Sequence, residues 1–268
     1  MPFVSPRARR SAELALLLLL LGAGAARAAA PLTPQASAPG AASVETPTKA
    51  DDSSAKPEDL VAQKKSALER ASSLAKEGRY PAAEEVATEL AKKLGDRDPF
   101  PDEIRGAIYT IKKDFPAAAA SFRAMLAKSP ESPVARFNLA ETQFLARRYG
   151  EAEQSFAELE SAQRETNPAV ADLCRYKRVV SLLAAGSPDK AKALLPPPSD
   201  TPPSAAVRYA GAAVDFSQKN VTKANSEIEE ARRAFSAEVE SLYVDSFIEL
   251  HWGTRDSAGH FNFSSAPK

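Results

Sequence analysis

The sequence predicts an all-α solenoid of about four to five helix-turn-helix units, closed by a C-terminal capping helix. The first observation behind this prediction is a repeated aromatic residue followed three residues later by Ala. The aromatic residues are Tyr80, Phe115 and Tyr149, which lie 35 and then 34 residues apart. A fixed period near 34 residues is typical of stacked helical pairs.

The second and third observations are the spacing of apolar residues and the placing of helix breakers. Apolar residues follow a helical period, as in Phe137, Ala140 and Phe144, and strand-like alternation is absent. Breakers recur where helices must turn, and several prolines stand where a second helix would begin, a position that needs no N–H donor. The breakers and these prolines are Gly78, Pro81, Gly95, Pro99, Pro101, Pro116, Pro130, Gly150, Pro168, Gly186 and Pro188.

Composition favours close helix packing and disfavours a nucleic-acid groove. Hydrophobic residues make up 44 % of the chain but aromatic residues only 7 %, so Ala and Leu carry much of the hydrophobicity. The 35 basic and 35 acidic residues balance over 268 positions. A nucleic-acid-binding surface needs clustered basic charge, and we therefore expect no nucleic-acid partner.

The N-terminus predicts export. Residues 1–28 read as a signal peptide, with a basic start, an apolar run from Leu14 to Leu21, and a small-residue cleavage site at Ala26-Arg27-Ala28. The alternative is a signal retained as a membrane anchor. Residues 29–58 are rich in Ala, Pro, Ser and Thr, which predicts a disordered linker. The helical array is then expected over 59–235.

The residues of this predicted array resemble the tetratricopeptide repeat family. The best match is Asn138-Leu139-Ala140 followed by Tyr149, Ala152, Phe156 and Leu159, and the resemblance implies a right-handed solenoid. Five equivalent Ala positions are separated by 35, 34, 39 and 33 residues: Ala83, Ala118, Ala152, Ala191 and Ala224. The spacing of 39 predicts about five extra residues in the turn from Gln163 to Pro168. A Pro-rich run at 196–198 predicts that the second helix of the fourth unit is short.

The C-terminus predicts a cap and a tail. Val239, Leu242, Tyr243, Phe247 and Leu250 fall on one face of a helix over 236–252. An array of this kind needs a terminal element with one apolar and one polar side. Residues 253–268 are polar and contain Gly and Ser, which predicts a flexible tail.

No pattern of catalytic, cofactor-binding or metal-ligating residues emerges. His251 and His260 are the only histidines and lie nine residues apart, unlike the i, i+4 pairs of metal sites. Two Ser-x-x-Lys patterns, at Ser73 and Ser187, lack the companion motifs of penicillin-binding enzymes. We therefore expect a protein that is not an enzyme and that uses no cofactor or metal.

The candidate partner-binding residues come from the repeat register. In the family that this chain resembles, the first helix of each unit builds the inner, concave face. Aligning the units places Phe137, Tyr176 and Tyr209 at one register of that helix. The alternative is that these rings fill the gaps between repeats. The predicted partner-binding residues are Phe137, Asn138, Glu141, Phe144, Tyr176, Lys177, Tyr209 and Phe216.

The expected function is a non-catalytic scaffold or adaptor that binds a partner protein or peptide through that face. The expected location is the periplasm or cell envelope of a Gram-negative-type bacterium. Membrane association would then arise only through a partner or an uncleaved signal. Two alternatives stay open: an accessory subunit of an envelope enzyme or an unrecognised enzyme, and a self-associating structural protein.

Overall fold

The structure, a computed structural model, describes residues 57–197 and 203–264. The predicted signal peptide over 1–28 and nearly all of the predicted linker over 29–58 lie outside these residues. None of the described helices combines the length and the apolar character needed to cross a membrane.

The described residues form eleven helices and one short β-hairpin. Consecutive helices pack against each other along the chain. The helices are α1 (Pro57–Lys76), α2 (Tyr80–Leu94), α3 (Phe100–Lys112), α4 (Phe115–Lys128), α5 (Pro133–Leu145), α6 (Tyr149–Gln163), α7 (Pro168–Ala184), α8 (Pro188–Ala193), α9 (Ala205–Ser217), α10 (Val221–Ala234) and α11 (Ala237–Glu249); the strands are β1 (Gly253–Arg255) and β2 (Phe261–Phe263).

The first ten helices form five pairs, each with a first helix A and a second helix B, as the sequence predicts for an all-α repeat array. The turn inside every pair closes in the same way. In the third pair, the Arg147 N–H donates to the Phe144 carbonyl at 2.9 Å, and the Arg148 N–H donates to the Gln143 carbonyl at 2.9 Å. This Schellman arrangement requires a left-handed residue at the turn. The left-handed residues, with φ between 63° and 78°, are Gly78, Lys113, Arg147, Gly186 and Lys219.

The Ala series confirms that the five pairs are equivalent. Each of these residues lies in helix B, three positions after its first residue. All five side chains are 0 % exposed. They are Ala83, Ala118, Ala152, Ala191 and Ala224.

The longer spacing between the third and fourth pairs does not arise in the turn, so that prediction is wrong. The turn between α6 and α7 is four residues long, and so is the turn between α4 and α5. Helix α7 instead has 17 residues, whereas α5 has 13. The insertion therefore extends helix A of the fourth pair by about one turn.

Helix B of the fourth pair is short, as the Pro-rich run predicts. Helix α8 has 6 residues, whereas α6 has 15. Proline cannot donate a helical hydrogen bond and its ring clashes with the preceding turn, so a helix ends before a run of prolines.

The prediction of a flexible tail over 253–268 is wrong for the part that the structure describes. Residues 253–263 form an antiparallel hairpin in which Gly253 pairs with Phe263 and Arg255 with Phe261. Both Phe side chains are buried, and burial of these rings offsets the entropy of ordering the segment. We refer to residues 236–264, which comprise α11 and this hairpin, as the C-terminal module.

A close helix contact fixes the packing of the second pair. Gly106 of α3 faces the ring of Phe122 in α4. A Cβ atom at Gly106 would lie 2.4 Å from a ring carbon of Phe122, so only glycine permits this approach. The pattern of a small residue in helix A facing an aromatic residue in helix B therefore arises directly from packing.

Candidate functional site

The candidate site is the side of α5, α7 and α9 that carries Phe137, Tyr176 and Tyr209, which we call the helix-A face. Each of these residues lies ten positions before the left-handed residue of its pair. The shared register predicted from the sequence is therefore present. All eight predicted partner-binding residues are buried, however: Phe137, Asn138, Glu141, Phe144, Tyr176, Lys177, Tyr209 and Phe216.

Helix α11 covers two of the three aromatic positions. The Tyr243 ring of α11 stacks on the Tyr209 ring at a centroid distance of 4.8 Å and an interplanar angle of 5°. The same ring meets the Tyr176 ring edge-on, also at 4.8 Å. The Tyr176 hydroxyl donates a hydrogen bond to the Tyr243 carbonyl. Tyr243 is thus held between α7 and α9 by two rings and one hydrogen bond.

A buried ion pair lies beside these rings. The Lys177 side chain is 0 % exposed. Its ammonium donates to a Glu141 carboxylate oxygen at 2.8 Å and to the Ser246 hydroxyl at 2.9 Å. It also lies 5.4 Å from the centroid of the Phe144 ring. Because an unpaired charge is costly inside a protein, these contacts tie α5, α7 and α11 together.

The hairpin, together with Trp252, covers Phe216, the predicted site residue near the end of α9. The Phe263 ring stacks on the Phe216 ring at 4.5 Å, and Trp252 lies 5.5 Å from Phe216. On α10, the Asn225 side chain accepts from the Phe263 N–H at 2.8 Å and donates to the Phe263 carbonyl at 3.3 Å. The Asn225 amide on α10 therefore hydrogen-bonds to β2 in the way that a neighbouring strand would.

The aromatic residues of α5 make their ring contacts within their own pair. Phe137 meets Phe156 at 5.3 Å, and Phe144 meets Tyr149 at 5.5 Å. In both contacts the partner ring lies on α6, which is helix B of the same pair. Asn138 is also buried, and its side-chain nitrogen has no hydrogen-bond partner among the described residues.

In the structure described, these residues therefore do not line an open groove, and their role in binding a partner stays a prediction. The rings of α7 and α9 are covered by the chain's own C-terminal module, and those of α5 pack within their own pair. Sequence reasoning identified the apolar face of α11 but could not place it on residues about 35 to 70 positions earlier. The roles of Asn225 and of the hairpin were missed, and the only signal for them was the alternation Phe261-Asn262-Phe263.

No group of three or more metal-binding side chains occurs within residues 57–197 and 203–264. Cys174 is buried in α7, and burial raises the pKa of its thiol well above the usual range. A thiol of this kind is inert, because the reactive species is the thiolate.

A buried acid, Glu103, occupies the equivalent helix-A position on α3, outside the candidate site. Glu103 of α3 stands ten positions before Lys113, as Tyr176 does before Gly186. It is 2 % exposed, and one of its carboxylate oxygens has no hydrogen-bond partner within the described residues. Burial raises the pKa of this carboxyl to about 7, and the charge on Lys64 offsets part of that rise.

The raised pKa of Glu103 predicts a pH-dependent loss of folding stability, which the substitution Glu103→Gln should remove. The unfolded chain loses the Glu103 proton near pH 4.5 and the folded chain near pH 7, so stability falls as pH rises between these values. At 1.36 kcal/mol per pKa unit, we expect the free energy of unfolding of the variant to rise by about 2–3 kcal/mol relative to that of the wild type as the pH increases from 5 to 8. Urea unfolding across this range measures it. Glu85→Gln, which alters an exposed carboxylate, serves as the control. An equal pH dependence in all three proteins would contradict the assignment.

Comparison with known protein families found one match. The family model described as tetratricopeptide repeat matches residues 110–176. The matched region runs from the end of α3 through α4, α5 and α6 into α7. It therefore contains the α5 residues of the candidate site and ends at Tyr176. Comparisons with curated proteins and with solved structures found no significant match.

Proposed function

Since this chain is a tetratricopeptide repeat protein, we propose that it is a non-catalytic adaptor that binds a partner protein through the helix-A face. Repeats of this family generally mediate contacts between proteins. Stacked helical pairs also form extended surfaces that suit protein ligands. The observation that carries the proposal is the seating of α11. Tyr176 and Tyr209 already hold an aromatic side chain of a helix between them.

The chemistry of that face supports a protein ligand. Tyr rings provide large contact areas at a small cost in conformational entropy, and they are enriched among the residues that dominate interface energies. The Tyr176 hydroxyl donates to a backbone carbonyl, a group that every peptide presents. Lys177 donates to a hydroxyl group of the seated helix. The face can therefore recognise both the backbone and the side chains of a helix.

The proposed place of action is the bacterial envelope. The support is the basic start, the apolar run and the small-residue cleavage site of residues 1–28. Cleavage there leaves a mature chain that begins at Ala29, with 31 basic and 34 acidic residues. In this proposal, residues 29–56 tether the array.

One purification tests location and partner binding together. The full chain with a tag after Lys268 is produced in a Gram-negative host related to its source, and is isolated from the periplasmic fraction after mild cross-linking. We expect an N-terminus at Ala29 by sequencing and a second protein in a fixed molar ratio by mass spectrometry. Excess untagged mature chain, added to a parallel sample before cross-linking, should suppress recovery of that protein.

Other outcomes point to the alternatives. Recovery of this chain alone, as an oligomer by light scattering, would favour a self-associating structural protein. An intact Met1 with retention in the membrane fraction would overturn cleavage of the signal. A recovered enzyme whose turnover depends on this chain would make the adaptor an accessory subunit.

A further inference from the structure

The C-terminal module has packing contacts within itself as well as with the array. Its aromatic side chains pack on one another, with centroid distances of 5.8 Å between Phe247 and Trp252, 5.0 Å between Phe247 and Phe263, and 5.1 Å between Phe261 and Phe263. Asp245 and Arg255 form an ion pair within it at 3.3 Å. These contacts form a small aromatic cluster within the module, and this cluster is continuous with the core of the array.

Helix α11 also satisfies its own ends. The Ser236 side chain accepts a hydrogen bond from the Val239 N–H at the start of the helix. At its end, the His251 N–H donates to the Ile248 carbonyl and the Trp252 N–H donates to the Phe247 carbonyl. This is the closing arrangement that ends each helix A of the array, and His251 has the same left-handed φ, 59°. Such a helix needs no contribution from the array to complete its caps.

Part of the contact between the module and the array is polar. Two of the seven buried residues of α11, Glu240 and Ser246, pair with side chains of the array. Arg232 of α10 pairs with Glu240 at 3.2 Å and donates to the Phe261 carbonyl at 2.9 Å. Water can replace polar contacts of this kind when two surfaces separate. Lys177 keeps its bond to Glu141 if Ser246 leaves, so separation does not strand a buried charge.

The connection between array and module is short, and the module that follows it ends the described part of the chain. Only Phe235 and Ser236 separate α10 from α11, and both have extended backbone angles. In a repeat array each unit depends mainly on its neighbours. Opening of a terminal unit therefore leaves the preceding pairs folded, and local opening of this kind costs less than global unfolding.

We propose that the C-terminal module is a built-in occupant of a helix-binding surface on α7 and α9, and that the partner is an amphipathic helix that replaces it. This inference rests on the proposed function and adds the class of the partner. The partner helix presents an aromatic ring that enters the slot between Tyr176 and Tyr209. Three residues later it presents a small hydroxyl side chain to Lys177, as Ser246 does. A carboxylate three residues before the ring, like Glu240, pairs with Arg232.

The wild-type mature chain supplies the first test, native-state hydrogen exchange measured by mass spectrometry. We expect the amides of α11 to exchange at least tenfold faster than those of α7 and α9, because the module opens while the array stays folded. Equal protection in the three helices would make the module a permanent part of the core and would overturn the proposal.

The second test uses a synthetic, fluorescein-labelled peptide of residues 236–264 as the probe. The mature chain with Tyr243→Ala keeps the surface but weakens its own occupant, so we expect it to bind the peptide at least tenfold more tightly than the wild type. Thr254→Ala, an exposed change on the hairpin, is the matched control and should behave as the wild type. Adding Tyr209→Ala to Tyr243→Ala should abolish the gain.

Each result of this experiment decides the proposal. Global unfolding of the Tyr243→Ala chain, shown by lost protection in α5 and α6, would overturn it because the module would then be structural. Absence of peptide binding by a folded Tyr243→Ala chain would also overturn it. Peptide binding with no partner recovered from the periplasm would leave the surface and its occupant established and would count against the adaptor function alone.

Discussion

Replacing Lys177 by Met in the mature chain is expected to lower the free energy of unfolding by about 3–5 kcal/mol. The ammonium group is the buried partner of Glu141, whose side chain is only 11 % exposed. Without it, the carboxylate stays in a poorly hydrated position with no counter-charge. The Ser246 hydroxyl and the face of Phe144 lose their contacts with the cation as well. Urea unfolding followed by circular dichroism measures the loss.

A double variant separates the cost of an unpaired charge from the value of the pair. Adding Glu141→Leu to Lys177→Met removes both charges and is expected to recover most of the lost stability, because apolar replacements of a buried pair are often neutral. Lys92→Met changes an exposed lysine of α2 and should alter stability by less than about 0.5 kcal/mol. If Lys177→Met costs no more than Lys92→Met, the pair is not buried as described.

The second large effect is expected at the equivalent aromatic residues of helix B. Phe156 is 0 % exposed and Phe122 is 2 % exposed, and each packs against helix A of its own pair. Replacing either by Ala should destabilise the chain by about 3–5 kcal/mol, the usual cost of removing a buried aromatic ring. Because stability passes between neighbours in an array, hydrogen exchange should rise in the flanking helices too.

The two sites differ in a way that sharpens this prediction. The Phe122 ring packs directly against Gly106. Removing the ring therefore also leaves a cavity where α3 and α4 approach closely. Arg123→Ala, one position along on the exposed side of α4, is the matched control. Losses below about 1 kcal/mol at both Phe122 and Phe156 would mean that the assigned register of helix B is wrong.

The repeat register could be predicted from the sequence because it depends on local constraints. Ala152 and its four equivalents are needed wherever two helices approach closely, so they recur at the period of the pairs. Pro188 stands in the first turn of α8 and the Pro-rich run that begins at Pro196 follows its end, and backbone chemistry alone accounts for both. The left-handed turns were recognisable only at Gly78 and Gly186. At Lys113, Arg147 and Lys219 the same turn is imposed by the packing of the pair, and the residue type does not signal it.

The candidate site was predictable in its register but not in its exposure. The alignment of Phe137, Tyr176 and Tyr209 follows from counting along equivalent helices. Their burial depends on Tyr243 and on the hairpin, which come from distant parts of the chain.

The sequence by itself determined the all-α repeat architecture, the helix pairs, the short eighth helix and the amphipathic character of α11, because each depends on spacing or on backbone chemistry within a few residues. Only the tertiary structure decided that α11 lies on the helix-A face, that Lys177 is paired between Glu141 and Ser246, and that residues 253–263 form a hairpin over Phe216. These features arise from contacts between residues far apart in the chain, and their stability comes from burying several aromatic rings together. A period in the sequence cannot encode such contacts, since the C-terminal module occurs once and repeats nowhere.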